Sequence, residues 1–199
     1  MSESRLHQAL RGICQDLSQS GASFALVGGL AVSTRTEPRF TKDVDLVVAV
    51  KSDREAEVLV ASLRVRGYRI HALVEQASAG RLATVRLVPL GESSLFVDLL
   101  FASTGIEPEI VKAAGLVEVI PGLRLAVATL PHLIAAKVLS RDDARRPQDR
   151  VDLVALLAAA SAAELEAARE ALRTIHARGF HRGKDLLGEL ESFVKSLAP

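Results

Sequence analysis

Two aspartates, Asp43 and Asp45, stand two positions apart at the start of an apolar stretch that runs to Val50. The β-branched residues of this stretch predict a β-strand. Because alternate side chains of a strand point to the same face, both carboxylates are expected to leave the sheet together. Two neighbouring carboxylates repel each other unless a cation lies between them. Hard oxygen ligands held in this way are typical of a Mg²⁺ site that binds substrate phosphates.

A glycine pair, Gly28 and Gly29, precedes the aspartates and follows a short apolar run at residues 24–27. The apolar run predicts a first strand, and a short helix can begin at Leu30. Pro38 ends that helix, because the residue before a proline is disfavoured in the helical conformation. Glycines leave the backbone bare, and free amides at a helix N-terminus favour an anion. The glycine pair therefore predicts a phosphate-binding turn between two strands.

The order of these features, GG followed after a gap by DVDL, resembles the signature of the polymerase-β-like nucleotidyltransferases. The residues that fill the gap, Arg35-Thr36 and Arg39-Phe40-Thr41-Lys42, are most similar to the AbiEii/AbiGii toxin-like branch. That branch also includes relatives that modify small molecules. The superfamily often has serine at the second position of the turn, where this chain has Gly29. Ser33 and Thr34 are the candidates to supply the missing hydroxyl.

Asp98 is the one charged residue in an otherwise apolar stretch from Leu95 to Phe101. A strand that is apolar on both sides is typically buried in a sheet. A buried carboxylate without a partner is costly by several kcal/mol, so either a buried arginine or a metal ion must compensate its charge. The resemblance implies the metal. Asp98 would then be a third metal ligand and the group that takes the proton from the acceptor hydroxyl.

Residues 130–157 predict two helices joined by a basic turn, with Pro147 in the first turn of the second helix. Lys137 lies in the otherwise apolar first helix. This lysine and the following RRPQDRVDL resemble the toxin-like branch, which has a lysine and then an aspartate in this region. Helical spacing places Asp149 closer than Asp152 to the apolar face, so we expect Asp149 to point inward and Asp152 to be more solvated. The alternative is that this turn is only soluble surface.

The resemblance implies a nucleotidyltransferase that moves a nucleoside monophosphate from an NTP, such as ATP, and releases pyrophosphate. Positioning and charge neutralisation, with Mg²⁺ ions roughly 3.5–4 Å apart, would be the main sources of catalysis. The implied catalytic residues are Asp43, Asp45, Asp98, Lys137 and Asp149, of which the first three are also the implied metal ligands. The implied nucleotide-binding residues are Gly28, Gly29, Ser33, Arg39, Lys42 and Lys137.

The acceptor of the nucleotide has three interpretations. The toxin-like branch favours RNA, such as a tRNA end, with a cognate antitoxin as a partner. A small-molecule modifier, such as an antibiotic nucleotidyltransferase, is the second interpretation. The third is a binding protein that keeps the fold without catalysis, and the intact DVDL motif and Asp98 argue against it.

The remaining pattern predicts an α+β fold, in which a mixed β-sheet core is flanked by helices and followed by a C-terminal helical bundle. Helical spacing is present from Leu6 to Leu17 and from Asp53 to Arg66. Strand patterns dominate residues 68–101. From Leu130 onward every segment reads as helix, which predicts a nucleotidyltransferase core at residues 1–129 and a helical region packed on it at residues 130–199.

Composition limits the class of protein. Hydrophobic residues make up 49% of the 199 residues, enough for a full core, and the one cysteine, Cys14, is expected to be a buried structural thiol in a reducing cytoplasm. The first residues lack the apolar core of a signal peptide, and the longest apolar run, residues 153–163, is too short for a membrane span. A net charge of +1 and 4% aromatic residues argue against general nucleic-acid coating or base stacking as the main function.

A basic run lies near the C-terminus, without an acid among its charged residues. Its members are Arg173, His176, Arg178, His181, Arg182 and Lys184. Such a run can bind an RNA acceptor or a nucleotide phosphate. We favour the simpler interpretation that it is the solvated end of two helices.

Overall fold

A mixed seven-stranded sheet forms the centre of the computed structural model, which describes residues 4–76 and 80–197. The strand order is β3-β4-β5-β2-β1-β7-β6. The strands are β1 (Ser23–Val27), β2 (Asp43–Ala49), β3 (Arg69–Gln76), β4 (Arg81–Val88), β5 (Phe96–Leu100), β6 (Gly115–Ile120) and β7 (Leu123–Val127). The predicted α+β class with a mixed sheet is confirmed.

Eight helices surround this sheet or follow it in the described residues. They are α1 (Arg5–Gln19), α2 (Gly28–Arg35), α3 (Asp53–Val65), α4 (Glu107–Ala113), α5 (Leu130–Ser140), α6 (Pro147–Ala159), α7 (Ala162–Ala177) and α8 (Leu186–Leu197). The predicted strand–turn–helix–strand unit is present as β1, α2 and β2. None of the helices in the described ranges is long and apolar enough to cross a membrane.

Local sequence explains where several helices begin. The Ser4 hydroxyl accepts a hydrogen bond from the amide of His7 at 3.2 Å, which satisfies one of the free donors at the start of α1. Ser52 does the same at the start of α3. Ser161 and Glu164 form a reciprocal capping box at the start of α7. These helix starts therefore depend on residues next to them in the chain.

The strands that contain the aspartates are neighbours in the middle of the sheet. Strand β2 pairs with β1 in antiparallel orientation and with β5 in parallel orientation. Along β2, Val44 and Leu46 are buried while Asp43 and Asp45 are partly exposed on the other face. Side-chain alternation, read from the sequence, therefore places both acids on one side of the sheet as predicted.

The C-terminal helices pack on the sheet through a shared apolar core. Helix α5 contacts α2, α6 and α7, and its Leu133, Ile134 and Val138 are fully buried. These residues belong to the same hydrophobic cluster as Leu26 of β1 and Leu46 of β2. The division of the chain at residue 129 stays a prediction, because this cluster continues across it.

Candidate functional site

The strand register brings Asp45, Asp98 and Arg86 into one row across three strands. Asp45 of β2 is the register partner of Asp98 of β5, and Asp98 is in turn the register partner of Arg86 of β4. Asp43 lies two positions before Asp45 on the same face of β2. We call Asp43, Asp45 and Asp98 the acidic row. Asp98 and Arg86, which are distant from Asp43 and Asp45 in the chain, therefore meet them on one face of the sheet.

Gly28 is required by the approach of Asp45. Its φ angle of +64° lies in the left-handed region, which side-chain-bearing residues rarely adopt. A Cβ atom added at Gly28 would overlap the Asp45 carboxylate. The turn is therefore bare of side chains because a carboxylate of the protein itself lies against it, a reason that the sequence did not reveal.

Gly29 is required by two side chains of the loop that follows α2. A Cβ atom at this position would lie 2.7 Å from Nη2 of Arg39 and 2.8 Å from Oγ1 of Thr41. Ser33 holds the same loop, because its hydroxyl accepts from the Arg39 amide at 3.2 Å and contacts the Gly29 carbonyl at 3.1 Å. The glycine pair thus lets Asp45 and Arg39 approach the start of α2 from two sides.

The acidic row has more negative charge than its surroundings compensate. Burial, together with the charges of Asp98 and Asp43, raises the pKa of Asp45 to about 6. Burial also raises the pKa of Asp43, against the opposing charge of Arg86. Carboxylates whose ionised forms are destabilised in this way fit a divalent cation, which would remove the repulsion. The assignment of Asp43 and Asp45 as Mg²⁺ ligands stays a prediction, and their oxygen atoms are of the type that Mg²⁺ prefers.

Asp98 is compensated by an arginine in this structure. Nε and Nη2 of Arg86 donate to the two carboxylate oxygens of Asp98 at 2.8 and 2.6 Å. The guanidinium also lies 5.0 Å from the ring centre of Phe96. Within the described residues, no three His, Cys, Asp or Glu side chains are already arranged around a metal position. The role of Asp98 as a metal ligand therefore stays a prediction, and the arginine alternative has a named partner.

A second charged cluster faces the cavity from the helices. Nζ of Lys137 lies 2.7 Å from Oδ1 of Asp149 and 2.7 Å from Oδ2 of Asp152. Nη2 of Arg39 donates to Asp152 at 2.7 Å. The expectation that Asp152 is more solvated is wrong, since Asp152 is 1% exposed and Asp149 is 3% exposed. Helix α6 is covered by α2 as well as by α5, so the face ranked as solvated is also buried.

One cavity of about 1010 Å³ lies between these two clusters. Its sheet side includes the acidic row and Arg86, and its helix side includes Lys137 and Asp149. The glycine pair and Arg39 line it as well. Such a volume is enough for a nucleotide-sized ligand. The cavity thus has an acidic wall opposite a wall with lysine and arginine side chains.

Two predicted nucleotide-binding residues lie outside this lining. Ser33 is used within the loop after α2, and Lys42 lies 5.9 Å from the ring centre of Phe40. Thr41 and Arg86 line the cavity and were not predicted. Arg86 had a signal in the sequence, because it is the one charged residue inside the apolar strand segment LATVRLV, as Asp98 is in its own strand.

Comparison with known proteins gives a family. A family model described as nucleotidyl transferase AbiEii toxin, type IV TA system, matches residues 11–197. No curated protein matches the chain in sequence.

Solved structures share the fold. The antibiotic-resistance factor ANT(2'')-Ia in solution is 16% identical with a TM-score of 0.58, over 85% of this chain and 91% of that one. An antigenic nucleotidyltransferase-like protein from Paracoccidioides brasiliensis is 21% identical with a TM-score of 0.53, over 96% and 94% of the two chains. The lincosamide antibiotic adenylyltransferase LnuA is 13% identical with a TM-score of 0.51, over 77% and 97%. At these identities the similarity concerns the fold.

The repulsion in the acidic row predicts that Asp45→Asn stabilises the metal-free protein. The folded-state pKa of about 6 is above the 3.8 of an unperturbed aspartate, so the folded protein binds more protons between these two pH values and loses stability as pH rises through them. We expect the variant to raise the free energy of unfolding by about 1–3 kcal/mol at pH 8 and to flatten the pH dependence between about 4 and 6. Urea unfolding in EDTA measures both.

Asp53→Asn is the matched control for this experiment. A hydrogen bond from Arg81 lowers the pKa of Asp53. Removal of the Asp53 charge is therefore expected to lower the free energy of unfolding, whereas removal of the Asp45 charge raises it. A fall in the stability of Asp45→Asn at pH 8 would contradict the account of the acidic row.

The ion pair between Arg86 and Asp98 predicts a coupling energy in a double-mutant cycle. Asp98→Ala leaves Arg86 without its carboxylate, but the Arg86 side chain is 38% exposed and can regain water. We therefore expect Asp98→Ala to lower the free energy of unfolding by about 1–2 kcal/mol, less than the roughly 3–5 kcal/mol lost when a fully buried pair is broken. Thermal melting of Asp98→Ala, Arg86→Met and the double variant in EDTA gives a coupling of about 1 kcal/mol. Strict additivity would show that the pair contributes nothing.

Proposed function

The chain belongs to the family of AbiEii nucleotidyl transferase toxins, and on that premise we propose that its cavity transfers a nucleoside monophosphate from an NTP to a hydroxyl group of an RNA acceptor. The single observation that best supports this proposal is the acidic row, which faces Lys137 and Arg39 across one cavity next to the start of α2. The carboxylates of the acidic row suit a cation that is bound to the triphosphate. Lys137 and Arg39 suit direct contact with the phosphates.

The triphosphate would lie between the start of α2 and Lys137. The amides of the glycine-led helix N-terminus favour an anion, and α2 has no acid in its first turn. Arg39 is held beside this helix start by Asp152, so its position is fixed before a nucleotide binds. Lys137 is held in the same way by Asp149 and Asp152. Preorganised cations of this kind stabilise the charge of a phosphoryl group without further rearrangement.

The acidic row would hold Mg²⁺ and accept a proton. Mg²⁺ bound by Asp43 and Asp45 supplies charge neutralisation on the phosphates when it is present. Asp98 would accept the proton of the attacking hydroxyl, and Arg86 would orient the Asp98 carboxylate through its two hydrogen bonds. Proximity of these groups to the acceptor is the remaining contribution of the protein.

RNA is the proposed acceptor, and a cognate antitoxin the proposed partner, because the family description is that of a toxin of a toxin–antitoxin system. The test is incubation with each α-labelled NTP, Mg²⁺ and total tRNA, followed by a panel of aminoglycosides and lincosamides. We expect label to enter RNA with at least one NTP. Label in an antibiotic but not in RNA would overturn the acceptor, and no transfer to any acceptor would overturn the reaction.

Asp43→Asn and Asp45→Asn are each expected to remain folded and to lose transfer activity by at least about 100-fold, which corresponds to about 2.7 kcal/mol in the barrier. The reason is that each removes a ligand of the phosphate-bound cation. Initial rates of labelled NMP transfer in Mg²⁺ measure the loss, with Asp53→Asn as the control. Wild-type rates in both variants would refute the metal assignment.

Variants at Lys137 can separate the contribution of this residue to nucleotide binding from its contribution to stability. Lys137→Ala leaves Asp149 and Asp152 with less compensation, so we expect it to lower stability by about 3 kcal/mol and also to weaken NTP binding. The double variant Lys137→Ala/Asp149→Asn removes one buried acid and should regain much of the stability without regaining NTP affinity. Calorimetric titration with Mg-NTP beside thermal melting tests this. Recovery of NTP affinity in the double variant would mean that Lys137 acts only on the fold.

A further inference from the structure

The basic loop between α7 and α8, residues 178–185, is attached to the rest of the protein on both sides. Nη1 of Arg178 donates to the Gly105 carbonyl at 2.5 Å. Nζ of Lys184 donates to the Leu139 carbonyl at the end of α5 at 3.1 Å. Arg178 and Arg182 are exposed, as expected for the solvated end of two helices, but the hydrogen bonds also tie the loop to the rest of the protein. The α7–α8 loop is held in one position beside the cavity.

Arg182 in this loop has an unusual backbone conformation. Its φ angle of 55° makes it the one residue other than glycine with positive φ in the described part of the chain. A long side chain is uncommon in this region, and such strain concentrates at functional sites. Nη2 of Arg182 donates to the carbonyl and the hydroxyl of Ser103 at 3.0 and 3.2 Å. Ser103 follows β5, the strand of Asp98, so the guanidinium is fixed at the cavity edge.

Arg146 and Arg182 line the same cavity as like charges. Partial burial and the charge of Arg146 lower the pKa of Arg182. Glu107 acts on Arg182 with the opposite sign, but its carboxylate already accepts hydrogen bonds from Thr104. Arg182 forms no ion pair with a carboxylate of the described residues within 4.0 Å. A phosphate bound at this edge of the cavity would compensate the charge of Arg182.

We propose that Arg146 and Arg182 form a binding site for a phosphate group of the RNA acceptor backbone. The site rests on the proposed function and specifies how that function recognises its acceptor. Guanidinium groups match the planar, multiple hydrogen bonding of a phosphate better than any other side chain. Arg146 forms an ion pair with Asp149 at 3.4 Å, but its side chain is 61% exposed and can turn from that carboxylate toward a ligand, whereas Ser103 fixes Arg182.

The strand order assigns this phosphate to the acceptor rather than to the nucleotide. Gly28 and Gly29, where the triphosphate is placed, follow β1 on one side of β2. Ser103 follows β5 on the other side of β2. Asp98, the proposed proton acceptor, lies on β5 and hence on the side of Arg182. The attacking hydroxyl and the phosphate next to it would therefore enter from the Arg182 side.

The test measures binding of a fluorescent RNA stem-loop with a single-stranded 3′ end, by anisotropy in EDTA without NTP, between about 50 and 200 mM salt. We expect Arg146→Gln and Arg182→Asn each to weaken binding by about tenfold and to reduce the slope of log K against log salt by about 0.7–0.9. Asparagine is chosen at 182 because it tolerates positive φ. Arg54→Gln, which removes the same charge from exposed α3, is expected to bind as wild type. Affinity for Mg-ATP is expected to be unchanged in all three variants.

Unchanged RNA affinity and salt slope in Arg146→Gln and Arg182→Asn would overturn this site alone, because transfer activity and RNA binding by the wild type would remain. Weakened Mg-ATP binding with intact RNA binding would also overturn it and assign the phosphate to the nucleotide. Absence of RNA binding by the wild type would overturn the RNA acceptor and this site together. Thermal melting of each variant separates lost binding from lost folding.

Discussion

Three carboxylates on two neighbouring strands repel one another, and this repulsion shapes the site around them. Strand pairing between β2 and β5 fixes Asp45 beside Asp98, and neither can move away without breaking the sheet. Arg86 compensates one of the three charges from the next strand. The unusual turn at Gly28 follows from the same constraint, since the Asp45 carboxylate needs the space that a side chain would take.

The opposite wall carries positive charges, and these are also held in place by side chains of opposite charge. Lys137 and Arg39 lie close to the cavity, and two buried aspartates on α6 hold them there. Paired in this way, Lys137 and Arg39 are in place before a triphosphate binds, although the aspartates neutralise part of their charge. The loop with Arg182 differs, because its guanidinium is held by neutral oxygen atoms of Ser103 and keeps its charge for a ligand. We infer that the two cation groups serve different phosphates.

Much of this arrangement could be predicted from single segments. Alternation along β2 placed Asp43 and Asp45 on one face, and Asp98 stood out as a charge in an apolar strand. The pairing of Arg86 with Asp98 could not be predicted, because it depends on the register between β4 and β5. The burial of Asp152 was also missed, since one helical face was assumed to be buried where neighbours cover two. The pattern within one segment predicts which side chains share a face. Which residues of different strands or helices become partners depends on the fold.

We propose above all that the acidic row binds a divalent cation together with a nucleotide. The most direct test of this proposal is electron paramagnetic resonance with Mn²⁺ as a substitute for Mg²⁺, in the presence of a non-hydrolysable NTP analogue. We expect the wild type and Asp53→Asn to remove free Mn²⁺ from solution in proportion to bound nucleotide, and Asp45→Asn not to do so. Equal Mn²⁺ binding by Asp45→Asn and the wild type would contradict the proposal.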